Sequence, residues 1–576
     1  LQNFLKIKKI AVKYNCLNLK CSFEYKEKFR MKNVLQRLSI FFILLIAHIE
    51  VFAQGGYASG EGWLTYGLVG IVAIIVLFFI VQVGDSFLAL EAKQLGVNQE
   101  KSNVSIFPTW KDIAGRRLPD HLKDKNLITL KEGHDILLEG EAEKVIKNVR
   151  VRSFAVQPRD FIGMSPIPKV VVEVGDHVKA GDVLFYDKKR PDVQYVSPVS
   201  GEVAAVNRAA KRAIAEVVIL ADETMNYRQL NAPDLATVDR TGLLDFLLKS
   251  GGWTMIRQRP FGVVPDVDDI PRDVFISTFD SAPLAPDMNL VAEGQGAAFQ
   301  KGVDVLNKLT EGKVYLGLSA DGDNPPSSTF TNVIGAEQYF FEGKHPAGNI
   351  GVQIHNIKPL ADNETVWTLG VQEVLTIGKL FTEGRFDASR VVVLAGAEFI
   401  EPKYVRTYLG ANIGELVKGN MKNEESARLV SGDVLSGKAT TTESFLNFYE
   451  DQVTILEEGD DYELFGWLLP LAPRPSLSNT YPNFLFPNQK FKANTNTHGE
   501  RRAFVATNDY QQVMPMDIHV QPLMKAILVK DFERMEGLGI KELVEEDIAL
   551  CEFACVSKMP LQKILRDGLE EIRAQG

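Results

Sequence analysis

Cysteine is scarce: the 576 residues include four, Cys16, Cys21, Cys551 and Cys555. Two pairs this far apart cannot build a disulfide framework, and such usage fits a reducing compartment. Excess positive charge is also missing. With 74 acidic and 64 basic side chains the formal charge is -10, which excludes a general nucleic-acid binder. A dinucleotide fingerprint is absent, because Gly294-Gln295-Gly296 opens a helix with no third glycine at the required spacing. Low-complexity tracts and extended repeats do not occur, so the chain reads as several ordinary globular domains, roughly three or four by length.

The N-terminal part has a different texture. Residues 1–30 carry eight lysines and arginines ahead of Met31, the first methionine, and read as upstream translation. Residues 31–53 have the basic start, apolar centre and small-residue end of a secretory signal. The apolar stretch 64–83 is long enough to cross a bilayer as one transmembrane helix. Cations cluster after it, at Lys93, Lys101, Lys111, Arg116 and Arg117, and none lies at 54–63, so the body is expected on the cytoplasmic face of a bacterial inner membrane. Residues 84–126 form a polar linker.

The body predicts a multidomain mixture of α/β and β structure. Residues 127–225 centre on Val171–Val206, where Val172, Val174, Val178 and Val183 alternate with polar residues and Gly175-Asp176, Gly181-Asp182 and Ser200-Gly201 mark turns. Two four-strand halves are expected. The phrases resemble the barrel-sandwich hybrid of lipoyl and biotinyl carriers, whose attachment lysine sits on the hairpin between halves. Lys188 occupies that place here, but the tip Asp187–Asp192 reads as a longer, solvated basic turn, which disfavours attachment. Residues 226–385 alternate strand, helix and strand in the manner of a Rossmann-like layer. Residues 386–530 resemble a β-grasp ligand-binding domain, and 531–576 form a helical C-terminal domain around Cys551 and Cys555.

Taken together, the blocks resemble the A subunit of the sodium-translocating NADH:quinone reductase from Leu127 onward. The resemblance is carried by VGDHVKAGDVLFYDKKRPDVQYVSPVSGEVAAVNRAAKR, SGGWTMIRQRPFGVVP, LTEGKVYLGLS, GKHPAGNIGVQIH, KLFTEGRF, VSGDVLSG, LFGWLLP, the turn VMPMD at Val513 to Asp517, and EEDIALCEFACVSKMP. Residues 1–126 fall outside it. The resemblance implies a cofactor-free subunit of a membrane complex that oxidises NADH, reduces quinone and exports sodium. Flavins and iron centres then belong to partner subunits, and the chief partner is the quinone-facing membrane subunit; the bilayer is contacted through 64–83.

Related electron-transfer subunits hold iron-sulfur clusters on C-x-x-C-x-x-C-x-x-x-C-P. Cys551 and Cys555 match only its last pair, with Ile548, Glu545 and Val556 at the other positions. Their glycine-rich flavin loop corresponds to Ser250–Arg257, where Trp253 is too bulky for a phosphate nest. A quinone head needs hydrogen-bond donors beside an apolar slot. Arg257, Arg259 and Phe261 supply donors and a ring within five residues, and Phe161 and Met164 supply an apolar loop, so these five are the candidate quinone residues; no catalytic or metal residue is assigned. The alternatives are a membrane-anchored periplasmic adaptor with a lipoyl-like domain, or a carrier modified at Lys188.

Overall fold

The computed structural model describes residues 118–575 apart from 323–324, 460–465, 467–473, 478–482 and 484–485, together with helical Gly70, Val72 and Val76. The expected leader and signal and most of the expected span and linker lie outside the described residues, among which no helix is long and apolar enough to cross a membrane. Contacts divide the chain into two units, Leu1–Arg117 and Leu118–Gly576. All the regions that carry the candidate site belong to the second.

The hybrid region consists of two antiparallel sheets. One has four strands, in the order Ser153–Val156, Ile214–Ala221, Gly201–Arg208, His177–Val178; the other has three, Lys169–Val170, Val183–Asp187 and Arg190–Val196. Thus the halves hold four and three strands, not four each. The apolar alternation explains much of the core, since Val178, Leu184, Val193 and Val203 are buried. Val174 departs from it: it is 63% exposed, because it sits in the turn at Gly175 instead of on a strand. The expected long tip is also corrected. Asp187 pairs with Arg190, which leaves exposed Lys188 and Lys189 as a two-residue turn.

The α/β region is a six-stranded sheet in the order Asn126–Thr129, Ala336–Glu342, Val314–Ser319, Val274–Ser277, Val366–Leu369, Arg257–Arg259. All neighbours run parallel except the last pair. Continuous apolar strands such as Val314–Leu318 are buried, as a sheet covered on both faces requires. Helices Gly296–Leu309 and Val371–Glu383 pack closely where glycines meet backbone: a Cβ on Gly378 would lie 1.8 Å from the Ala298 carbonyl oxygen. The chain steps outward from Val274–Ser277 on one side, then returns to its other side with Val366–Leu369. A crevice therefore opens at the carboxyl ends of these two strands, the usual place for a ligand in such sheets.

The third sheet runs Lys438–Thr440, Ala427–Ser431, Gln452–Glu457, Ser389–Ala395, Lys403–Tyr408, Glu143–Asn148. Its centre is a β-grasp arrangement, with Ser389–Ala395 antiparallel to one neighbour and parallel to the other. Helix Ile413–Val417 follows, started by the Asn412 side chain accepting from the Glu415 N–H. Residues 127–129 and 143–148, expected within the hybrid, and Asn126, expected at the end of the linker, form edge strands of the α/β and β-grasp sheets. The helical region also begins earlier than expected, at Asp509–Val513, because Val513, Met514, Leu523 and Met524 share one core with Ile548, Leu565 and Leu569.

Candidate functional site

Residues Arg257 and Arg259 lie on one edge strand, two apart, so both side chains leave the same face of the sheet. They meet different surroundings. Arg259 is 3% exposed and donates to Asp547, to Glu546 Oε1 at 2.7 Å and to the Glu542 carbonyl at 3.3 Å. It ties the sheet edge to helix Glu545–Ala554. Arg257 lines the crevice, with its guanidinium 5.1 Å from the centre of the Tyr449 ring and no hydrogen-bond or ion-pair partner among the described residues. Tyr449 is held in turn by its hydroxyl, which donates to the Thr254 carbonyl at 2.8 Å.

Phe161 is 2% exposed, packed 4.5 Å from Tyr195 and 4.8 Å from Phe448. It joins hybrid to β-grasp region and presents no open surface. Met164 and Phe261 are half-buried. The structure brings their two loops to one helix, Leu561–Gln575. Arg566 donates to the Phe261 carbonyl at 2.9 Å, and Arg573, about two turns further on, lies against Gly163. Gly163 has φ +81°, and a Cβ there would fall 1.7 Å from Arg573 Nη1, so only glycine admits the guanidinium. Arg566 is paired with Glu545, whereas Arg573 has no hydrogen-bond or ion-pair partner among the described residues. Burial, with Arg190 and Arg566 nearby, holds Arg573 below the ordinary arginine value.

Sequence reasoning missed Arg566 and Arg573. Their seven-residue spacing on one helical face was the available signal, but arginines on an amphipathic helix read first as a solvated face.

The crevice does not suit a nucleotide phosphate. Two helices point their N-termini toward it, and both first turns face carboxylates of the chain itself. A Cβ on Gly370 would lie 2.5 Å from Glu373 Oε2, and one on Gly351 would lie 2.4 Å from Asp547 Oδ1. Those carboxylates stand where an anion would bind. The loop at Ser250–Arg257 is closed too: Trp253 is fully buried beneath it and donates its indole N–H to the Pro265 carbonyl at 3.0 Å. Cys551 and Cys555 lie in the helical core, with the Tyr510 hydroxyl 3.0 Å from Cys555 Sγ. Burial pushes the Cys551 thiol upward, away from the thiolate a metal needs. Among the described residues no three His, Cys, Asp or Glu side chains are placed to hold a metal ion.

Three family models match in succession: "NqrA N-terminal barrel-sandwich hybrid domain" over residues 128–222, "NqrA second alpha/beta domain" over 238–386 and "NQRA C-terminal domain" over 391–442. Similar relatives include the A subunit of the Na(+)-translocating NADH-quinone reductase of Saccharophagus degradans, 41% identical over 454 residues that span 78% of this chain and all of that protein. The corresponding protein of Alcanivorax borkumensis is 40% identical over 455 residues and that of Shewanella frigidimarina 39% over 454, with the same coverage. Identity of this extent, through the hybrid, α/β and β-grasp regions alike, places the chain in the NqrA family, the A subunits of the Na(+)-translocating NADH-quinone reductase.

Proposed function

We propose that the chain is a subunit of a bacterial membrane complex that passes electrons from NADH to quinone and exports sodium, with its body on the cytoplasmic face. It holds neither flavin nor iron, and its own contribution is a place for the quinone ring. That place lies between the Phe161–Met164 loop, the turn at Phe261 and the C-terminal helix. Met164 and Phe261 supply apolar walls, Phe161 and Arg259 support them from behind, and Arg573 donates to a quinone oxygen. Arg257 faces the crevice instead. The observation that carries this reading is Arg573 itself, a guanidinium half-buried against Gly163 with no acceptor among the described residues.

A lone donor of this kind is suited to a neutral ring with carbonyl oxygens, to which a charge-assisted hydrogen bond is worth about 1.5–3 kcal/mol. The assembled complex with Arg573→Ala should need roughly ten-fold more quinone for half-maximal rate. NADH oxidation by an artificial acceptor should stay unchanged, as should the yield of assembled complex. Gly163→Ala should displace the guanidinium without removing it and act in the same direction. Normal quinone dependence in fully assembled Arg573→Ala complex would rule the site out. The adaptor alternative is disfavoured by the two-residue turn at Lys188-Lys189, since adaptors carry a long helical hairpin between the lipoyl-like halves.

A further inference from the structure

The crevice at the sheet's switch point is left unused by the quinone reading, and its chemistry is different. It encloses about 150 Å³, the scale of a cavity that takes one benzene ring. Its walls bring together Asp280, Asp433, Asp451 and Glu546 from four separate segments, with Arg257 on one side and His345 on another. Arg257 is fixed over Tyr449, and the arginines beneath the floor are already engaged, Arg259 with Glu546 and Asp547, Arg390 with Glu373 and Asp451. Carboxylates therefore outnumber cations.

A second, independent observation points to a ligand. His345 is 3% exposed, its Nδ1 is 3.1 Å from Ser281 Oγ, and its Nε2 is buried with no hydrogen-bond partner. Ser281 Oγ also accepts the Gly348 N–H at 2.8 Å, so the imidazole is held in place while its other nitrogen is left for something in the crevice. No three of these groups approach closely enough to hold a metal ion among the described residues. A ligand with several N–H groups spread over a few ångströms can reach both separated carboxylates and an imidazole nitrogen, as a point cation cannot.

We propose that this crevice binds a small organic cation bearing a guanidinium group, held by Asp280, Asp451 and Glu546 and oriented by His345. The site is separate from the quinone place and does not depend on it. Without the ligand, protons supply part of the balancing charge. The surrounding protein and the neighbouring Asp433, Glu546 and Asp451 push the Asp280 carboxyl upward, though it keeps solvent contact at the mouth, and burial pushes Asp451 upward against the pull of Arg390. Glu450, behind Asp451, is pushed up to about 8 by burial and Asp433, with Arg257 and Lys438 opposing. Binding a cation should thus release protons, and affinity should rise from about pH 6 to about pH 8.

The cation has two sources, a free small molecule or a basic side chain of a neighbouring subunit. Ethylguanidinium is the probe, titrated by calorimetry into the full chain in two buffers of different ionisation enthalpy. Saturable binding with proton release is expected, at least ten-fold weaker in Asp280→Asn, a solvent-accessible change whose folding is checked by thermal melting. His345→Gln, which keeps a polar group at that position, should weaken it less. Repeating the titration on the assembled complex separates the sources: retained binding assigns a free ligand, and lost binding assigns a neighbour's side chain. Unchanged affinity in Asp280→Asn, or no saturable binding to the isolated chain, overturns the proposal, as does displacement of the probe by sodium chloride more effectively than by potassium chloride.

Discussion

Arg259 and Arg390 can be compared directly, for each is buried and each holds a carboxylate against the first turn of a helix in the α/β layer. Arg259 reaches three acceptors, Asp547, Glu546 and the Glu542 carbonyl, and Asp547 Oδ2 takes the Val544 N–H as well, while Asp547 Oδ1 is left without a hydrogen-bond partner. Arg390 donates to Glu373, but its Nε and Nη1 have no hydrogen-bond partner, and Asp451 stands 3.6 Å from Nη1. Beside it is a cavity of about 30 Å³ lined by Gln372, Thr376 and Lys379, room for one water. The first network joins two regions; the second leaves space for solvent to complete it. Burial alone therefore does not say how much an ion pair matters. What counts is how many of its groups would be stranded by losing one partner.

The largest effect should follow from Arg259→Ala. It strands Asp547, which is buried and close to Gly351, and should cost about 3–5 kcal/mol. Loss should appear first as faster hydrogen exchange in helix Glu545–Ala554. The double change Arg259→Met, Asp547→Leu removes the stranded charge and should recover much of the loss. A cost under about 1 kcal/mol in the single variant would show that the network is not the lock between these regions. Arg390→Ala should cost less, about 2 kcal/mol, because water can enter the adjacent cavity and solvate Glu373. Denaturant titrations of the two variants, read as stability at constant slope, test the order; equal costs would erase the distinction.

What the sequence disclosed follows the range of the interactions. Turns at Gly175 and Gly181 were legible because positive φ is a local demand, and both glycines have it. The α/β alternation was legible from strand and helix periods. The edge strands at 126–129 and 143–148 were not, since Asn126 pairs with Tyr339 and Tyr404 with Ile146, partners more than two hundred residues apart with no local signature. Of the candidate quinone residues, the pattern picked out two loops that the fold does bring to one helix, but it could not tell that Phe161 turns inward or that Arg259 is consumed by Asp547. The helix face packed against both loops, with Arg566 and Arg573, and the crevice histidine, His345, depend on contacts no spacing rule reports.

A third carboxylate sharpens the comparison because it is half-buried with no ion-pair partner among the described residues. Asp160, at the hybrid end of the junction, accepts the Phe448 N–H at 3.0 Å and is approached by Gln157. Burial pushes it from 3.8 up to about 6, with the Phe448 hydrogen bond, Lys438 and Arg159 opposing. In the unfolded chain the group loses its proton near 3.8, in the folded chain near 6, so between these values the folded state binds more protons. Stability then falls as pH rises through that window and stays lowered above it. A shift of about two units corresponds to about 3 kcal/mol at most, and local relaxation should reduce it to about 2 kcal/mol. Asp160→Asn keeps an acceptor for the Phe448 N–H and cannot ionise. It should match the parent near pH 4 and exceed it in stability at about pH 7. A stability difference independent of pH would mean that Asp160 is solvated in the folded chain, and that a carboxylate at this junction needs no arginine because it is never dry.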